Sequence, residues 1–143
     1  MNEYLPIDGL KDQILDELKV HQHLIIKASP GSGKTTRVPL FLLPLTKKKI
    51  YVLEPRKLAA KLAAIQVAKN LGETVGKTVG YIFRFERVVS AETQIIFVTE
   101  GTFLKILSEQ KNIDDIGFVI LDEFHERHLA TDAALSFLDH FLS

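Results

Sequence analysis

The chain has 143 residues, with 46% apolar and 25% charged side chains, no cysteine and a net charge of zero. These values describe one globular domain large enough to bury a core unaided. The missing cysteine excludes disulfides and thiolate metal sites. The N-terminus, Met1 to Asp8, lacks the basic and apolar regions of a signal peptide. The most apolar window, Val38 to Leu45, is short and broken by Pro39 and Pro44, so no membrane span is expected and the cytoplasm is the default location.

Taken in order, Asp8 is placed to N-cap a first helix carrying Leu10, Ile14, Leu15 and Leu18 at helical spacing. His23 to Lys27 reads as a short strand, followed by a Gly-rich loop and a helix to about Leu43, stopped by Pro44. Lys47-Lys48-Lys49 is a solvated loop before a strand at Ile50–Leu53. An Ala- and Leu-rich helix runs from Arg56 to about Leu71, with Gly72 ending it. Val79–Phe85 and Gln94–Val98 read as β segments separated by a turn around Ser90-Ala91-Glu92. Gly101 opens a helix to about Ser108, Phe118–Leu121 is another buried strand, and Leu129–Leu142 is an amphipathic helix. Strands alternate with helices, and several are unbroken apolar runs. That pattern predicts an α/β fold with a mainly parallel sheet covered by helices on both faces.

The zero net charge conceals an asymmetry. Residues 47–87 carry ten basic and three acidic side chains, whereas residues 88–143 carry three basic and ten acidic ones. A surplus of +7 in the middle of the chain is a modest pointer to a polyanion-binding face, with plain surface solvation as the alternative.

Between the first strand and the second helix lies Ala28-Ser29-Pro30-Gly31-Ser32-Gly33-Lys34-Thr35-Thr36. Glycines let a backbone curl so that successive N–H groups face an anion, and the helix that follows adds the positive end of its dipole. Pro30, Gly31, Ser32, Gly33, Lys34, Thr35 and Thr36 are therefore candidates to bind the phosphates of a nucleoside triphosphate. Lys34 supplies a mobile charge for the β- and γ-phosphates, and Thr35 a hydroxyl ligand for Mg²⁺.

A second constellation is Val119-Ile120-Leu121-Asp122-Glu123-Phe124-His125-Glu126-Arg127. A buried strand delivers two carboxylates at its C-terminal end, where ligands gather in open α/β sheets. Asp122 is the candidate to hold Mg²⁺ through water, and Glu123 the candidate to accept a proton from an attacking water. His125 and His128 are three residues apart, but no third ligand accompanies them, so a zinc site is not expected. His125 reads better as a polar contact sensing the nucleotide site.

Five segments in order now carry a resemblance. They are the phosphate loop, Leu53-Glu54-Pro55-Arg56-Lys57-Leu58-Ala59-Ala60, Val79-Gly80-Tyr81-x-x-Arg84-Phe85-Glu86, Val98-Thr99-Glu100-Gly101 and Asp122-Glu123-x-His125-Glu126-Arg127. Together they resemble a DEAH-box ATP-dependent helicase of superfamily 2. Phe124, the Leu-Glu-Pro-Arg segment and Leu5-Pro6-Ile7 point to its bacterial HrpB-like branch. The resemblance runs from Leu5 to Leu142 and implies a RecA-like P-loop NTPase fold. It implies ATP and Mg²⁺ as cofactors, Lys34 and Glu123 as catalytic residues, and Thr35 and Asp122 as metal ligands. It further implies that Arg56, Lys57, Thr99, Glu100 and Gly101 lie along the backbone of single-stranded RNA or DNA. Such contacts call for cations, hydroxyls and free N–H groups rather than base-reading side chains.

Two departures from the family pattern stand out. An arginine expected ten residues after Arg56 is replaced by Gln66. The Ser-Ala-Thr motif and a second RecA-like domain are absent, so residues 1–143 are expected to form a first helicase domain that is incomplete at its C-terminal side. The strand bearing Ser-Ala-Thr belongs between the phosphate-loop strand and the Asp-Glu strand, and its absence leaves unpaired backbone groups facing a gap. A nucleotide-responsive binding module without catalysis is the alternative reading. A small-molecule kinase is disfavoured by the Asp-Glu-x-His segment and by the lack of an Arg-rich lid.

Overall fold

A computed structural model of the chain describes residues 5–20, 33–109 and 114–121. The strand expected at 23–27 and the helix expected at 129–142 lie outside the described residues. Within them the chain opens with a 3-10 turn, Pro6–Leu10, and then α1 (Lys11–Val20). It continues through α2 (Lys34–Leu42), a second 3-10 turn (Leu43–Leu45), β1 (Lys49–Glu54), α3 (Lys57–Asn70), β2 (Val79–Ile82) and β3 (Arg87–Val88). β4 (Ile95–Thr99), α4 (Glu100–Glu109) and β5 (Ile116–Leu121) complete the described elements.

The strands lie in the order β3-β2-β4-β1-β5. Among the described strands, β2, β4, β1 and β5 are parallel and only the short β3 runs against its neighbour. Apolar runs form the parallel core because both of its faces are covered. Alternate side chains of β1 point to opposite sides. Ile50 and Val52 join Val79, Ile95 and Phe97 under α1, α2 and α3. Tyr51 and Leu53 join Ile96 and Val98 under Phe103 and Leu107 of α4. Burying each such side chain contributes about 1.5–3 kcal/mol. The Tyr51 and Phe103 rings meet at 5.1 Å between centroids, which ties α4 to the central strand.

α3 turns its small residues inward, not its large ones. Ala60, Ala64, Val67 and Ala68 are buried against the sheet, while Leu58, Leu62 and Ile65 stand out in solvent. The alanines let the helix axis approach the strands closely, and the larger side chains take the far side. The end of α3 falls where expected, its last carbonyls accepting the N–H groups of Leu71, Gly72 and Glu73.

Two elements differ from the sequence expectation. Asp8 does not cap α1; it lies inside the preceding 3-10 turn, where its carboxylate accepts the Leu5 N–H at 2.8 Å. Proline at the second position of Leu5-Pro6 starts that turn, and the turn consumes the cap. The expected strand through Phe85 stops at Ile82, because Phe83–Glu86 closes a tight turn in which the Phe83 N–H donates to the Glu86 carbonyl at 2.7 Å. The chain then folds back as β3 over Gly80. A Cβ there would collide with the Val88 carbonyl oxygen and lie 2.8 Å from Val89 Cγ1, so the hairpin closes only over glycine.

Candidate functional site

A parallel sheet sends the C-terminal ends of its strands to one edge, and the candidate residues follow from that geometry. Glu54 at the end of β1 is level with Thr99 at the end of β4, and Ile82 of β2 is level with Val98. Leu121 of β5 is level with Leu53. The segments after β1, β4 and β2, which carry Arg56, Gly101 and Arg84, therefore leave the sheet on the same side. Asp122, Glu123 and His125 follow Leu121 in the chain and lie outside the described residues, as do Pro30, Gly31 and Ser32.

The described part of the phosphate loop is its junction with α2. Gly33 is the N-cap of α2 at φ +95°, a left-handed conformation that favours glycine. Its carbonyl accepts the N–H of Arg37 at 2.8 Å and of Thr36 at 3.2 Å, so the helix begins there without delay. Thr36 Oγ1 lies 3.4 Å from the same carbonyl. Lys34 and Thr35 occupy the first turn, half-buried, where the helix dipole is positive. These residues suit a polyphosphate with a divalent cation: a bare α-carbon, a helix start, an ammonium and a hydroxyl converge within three positions. Among the described residues no cluster of three His, Asp or Glu side chains is placed to hold a metal.

Of the residues expected to meet nucleic acid, Arg56 is the N-cap of α3, extended at φ −119° and ψ 129°, and exposed. Thr99 ends β4 half-buried, its hydroxyl donating to Thr102 Oγ1 at 3.1 Å. Gly101 is exposed, and among the described residues no atom comes within 4 Å of where its Cβ would stand. Two members of the expected set are placed differently. Glu100 is buried, 6% exposed, which withdraws its carboxylate from a polyanion on the surface. Lys57 is exposed but engaged, with its ammonium 3.6 Å from Glu86 Oε1 and 5.6 Å from the centre of the Phe83 ring.

Glu86 is the centre of a small network that spacing alone does not reveal. Lys61 Nζ donates to Glu86 Oε2 at 2.9 Å, and the Tyr81 hydroxyl donates to the same oxygen at 3.0 Å. Lys61 also lies over the Tyr81 ring, which stacks on Phe83 at 5.0 Å. The Lys61 hydrogen bond, then that of Tyr81, holds the Glu86 carboxyl below its ordinary value. The same Glu86 contact raises Lys61, and burial, reinforced by the bond to Glu86, pushes the Tyr81 phenol up. The network straps the β2–β3 turn to the start of α3. That turn displays Arg84 against Phe85 at 5.0 Å, with Phe85 87% exposed. Arg84 and Phe85 belong to the Val79–Glu86 motif, in which the sequence gives them no role; the signal for them is an aromatic beside a cation at a turn.

The structure also divides the basic surplus. Lys47, Lys48 and Lys77 precede strands and so lie toward the N-terminal edge of the sheet, whereas Arg56, Lys57 and Arg84 follow strands at the opposite edge. Lys49 donates to the Thr93 carbonyl at 2.8 Å. The cationic face is thus smaller than the charge count implies. Gln66 is exposed on α3 and donates to Asn70 Oδ1 at 2.9 Å. Among the described residues no helix is long and apolar enough to cross a membrane.

Comparison with known proteins matches this arrangement to one family. The family model described as DEAD/DEAH box helicase matches residues 10–133. The ATP-dependent RNA helicase HrpB of Escherichia coli is 40% identical over 136 residues, covering 94% of this chain and 17% of that protein. The probable ATP-dependent RNA helicase DHX34 of Homo sapiens is 36% identical over 138 residues, covering 96% of this chain and 12% of that protein. A crystal structure of the Escherichia coli DEAH/RHA helicase HrpB superposes with a TM-score of 0.91 at 39% identity, covering 96% of this chain and 18% of that one. A second, of the E. coli DExH-box NTPase HrpB, superposes at 0.93 with 38% identity, covering 99% of this chain and 18% of that one. The chain thus spans less than a fifth of the length of these relatives. With the sheet order, the left-handed cap before Lys34 and a match over most of its residues, the chain belongs to the DEAD/DEAH box helicase family.

Proposed function

We propose that residues 1–143 form the first RecA-like domain of an ATP-dependent RNA helicase, binding Mg-ATP at one end of α2 and single-stranded RNA along the C-terminal edge of the sheet. The observation that carries this reading is Gly33, a left-handed N-cap with Lys34 and Thr35 in the first helical turn. Gly31, Ser32, Gly33 and Thr36 surround the phosphates with backbone N–H groups, Pro30 lines the loop without an N–H of its own, and Lys34 neutralises charge on the β- and γ-phosphates. Mg²⁺, held by Thr35 and Asp122, supplies charge neutralisation on the phosphate oxygens when bound. Glu123 accepts the proton of the attacking water, and His125 links the nucleotide site to the rest of the domain.

The RNA path runs over Arg56, Thr99 and Gly101, with Lys57 and Arg84 beside it. Backbone contacts of this type fix position without reading sequence. In the whole protein a second RecA-like domain closes over the nucleotide and turns hydrolysis into movement. An arginine finger from such a domain is worth roughly 10³–10⁵ in rate, so the 143 residues alone are expected to hydrolyse ATP very slowly and to leave duplexes intact.

Lys34→Ala tests the nucleotide half. Mg-ATP at a hundred times its dissociation constant stabilises the native state by about 2.7 kcal/mol. Thermal unfolding of the parent chain is therefore expected to shift upward with Mg-ATP, and that of Lys34→Ala to stay where it was. Equal shifts in both would sink the reading. Glu123→Gln separates catalysis from mere binding in the full-length protein: loss of turnover with retained nucleotide affinity supports an ATPase, and unchanged function supports a nucleotide-responsive module.

A further inference from the structure

The opening turn of the chain takes no part in the function described so far, yet it touches the nucleotide end of α2. Leu5 is extended, at φ −116° and ψ 156°, the conformation that a following proline favours. The turn is closed by a reciprocal pair: the Leu5 N–H donates to Asp8 Oδ2 at 2.8 Å, and the Asp8 N–H donates to the Leu5 carbonyl at 2.9 Å. This closure aims Leu5 and Ile7 at one residue. A Cβ on Gly33 would lie 2.5 Å from Leu5 Cδ1, 3.1 Å from Leu5 Cβ and 3.2 Å from Ile7 Cγ2. The two side chains therefore occupy the space that the missing side chain of Gly33 leaves.

Glycine populates positive and negative φ about equally when nothing selects between them. At this junction the choice has consequences. The Gly33 carbonyl accepts the N–H groups of Thr36 and Arg37, and its φ of +95° sets the direction from which the preceding loop meets the helix, and so where the loop's last N–H groups point. Ile7 is anchored, 1% exposed, in the cluster that includes Val38 and Phe41 of α2. Leu5 is half-buried and packed at the margin of that cluster, so its contact with Gly33 is a larger share of what it does.

We propose that the Leu5–Asp8 turn is a positioning element for the phosphate loop: Leu5 and Ile7 select the left-handed conformation of Gly33 and so hold the first turn of α2 ready for a triphosphate. The proposal rests on the nucleotide-binding reading above. Its energetic logic is that of a population. When the competent conformation is only fractionally occupied, apparent affinity falls by that fraction, so uncovering Gly33 enough to leave it competent a tenth of the time weakens binding about tenfold.

The experiment uses the full chain with Leu5→Ala, Leu5→Met and Lys34→Ala, each titrated with a fluorescent ATP analogue and Mg²⁺. Oligouridine binding without nucleotide is measured alongside. Leu5→Ala is expected to bind the nucleotide about tenfold more weakly. Leu5→Met, which refills the space, is expected to stay within about twofold of the parent, because methionine for leucine conserves volume. Oligouridine affinity is expected to be unchanged in both, a split that general loosening of the fold would not produce. If Lys34→Ala abolishes nucleotide binding while Leu5→Ala matches the parent, the positioning role is wrong and the nucleotide reading stands. If Lys34→Ala matches the parent, both fall. Should Leu5→Ala lose cooperative unfolding, Leu5→Val and Asp8→Ala, which removes the acceptor of the Leu5 N–H, carry the test, and parent-like nucleotide affinity in both overturns the proposal.

Discussion

Replacing Glu86 by glutamine preserves the shape of the side chain and removes its charge. The Tyr81 hydroxyl keeps an amide oxygen to donate to, so the β2–β3 turn stays closed. Lys61 loses a partner at 2.9 Å and Lys57 one at 3.6 Å. Both lysine side chains are at least one-third exposed, and the variant frees their ammonium groups from the Glu86 carboxylate. If a single strand runs over the start of α3, Glu86 is its competitor, and Glu86→Gln is expected to tighten binding rather than weaken it.

The size of the effect follows from counterion release. Each additional cation–phosphate contact on a single strand steepens the fall of log K with log salt by about 0.7. Between 200 and 50 mM salt that is a factor of about 2.6 for one freed lysine and about 7 for two. Fluorescence anisotropy of labelled oligouridine, titrated with parent and variant across that salt range, reads the slope directly. Arg56→Ala in the same assay should make the slope shallower. Parallel slopes for parent and Glu86→Gln, or weaker binding by Glu86→Gln at every salt with the turn intact by NMR, would refute the reasoning and remove Lys57 from the nucleic-acid path.

The same network sets a pH window. Glu86 lies below its ordinary 4.5 in the folded chain, so its contribution is full above 4.5 and is lost as pH falls through the lowered value. Lys61 lies above its ordinary 10.5, so its contribution is full below 10.5 and is lost as pH rises through the raised value. Amide shifts of residues 83–86 should therefore stay constant between those limits and move beyond them; a midpoint near neutrality would contradict the pairing. Gly80→Ala puts a methyl group against the Val88 carbonyl and Val89, and overpacking of this kind costs about 1–3 kcal/mol. Its melting temperature should fall by about 3 °C per kcal/mol, and a parent-like value would show that the β2–β3 hairpin accommodates the methyl group without strain.

Much of the fold was legible because strand and helix periods differ and because both faces of a parallel sheet demand unbroken apolar runs. Ile50–Leu53 and Gln94–Val98 announce themselves in that way. α3 shows the limit of pattern reading. An Ala- and Leu-rich composition does not say which residues face the sheet, and the sheet takes Ala60, Ala64, Val67 and Ala68 while Leu58, Leu62 and Ile65 face solvent. Asp8 shows another limit: a capping residue followed by an apolar period is also what a reciprocal 3-10 turn looks like, and only the preceding Leu5-Pro6 distinguishes them.

Site residues were legible to the extent that chemistry forces their type. A phosphate cradle needs glycine at a left-handed cap, and Gly33 is one. Backbone recognition of a strand imposes no such demand, since many cations at many positions serve. Lys57 shows why the charge count misleads there. In sequence it is a cation beside Arg56; in the fold it is half of an ion pair whose other half comes from a turn twenty-nine residues away. What decides whether Lys57 reaches a phosphate is the balance between Glu86 and the strand, and that balance depends on salt. On the proposed reading, the nucleotide contacts of Gly33, Lys34 and Thr35 follow from the geometry of one helix start, while those to nucleic acid follow from competition across the fold.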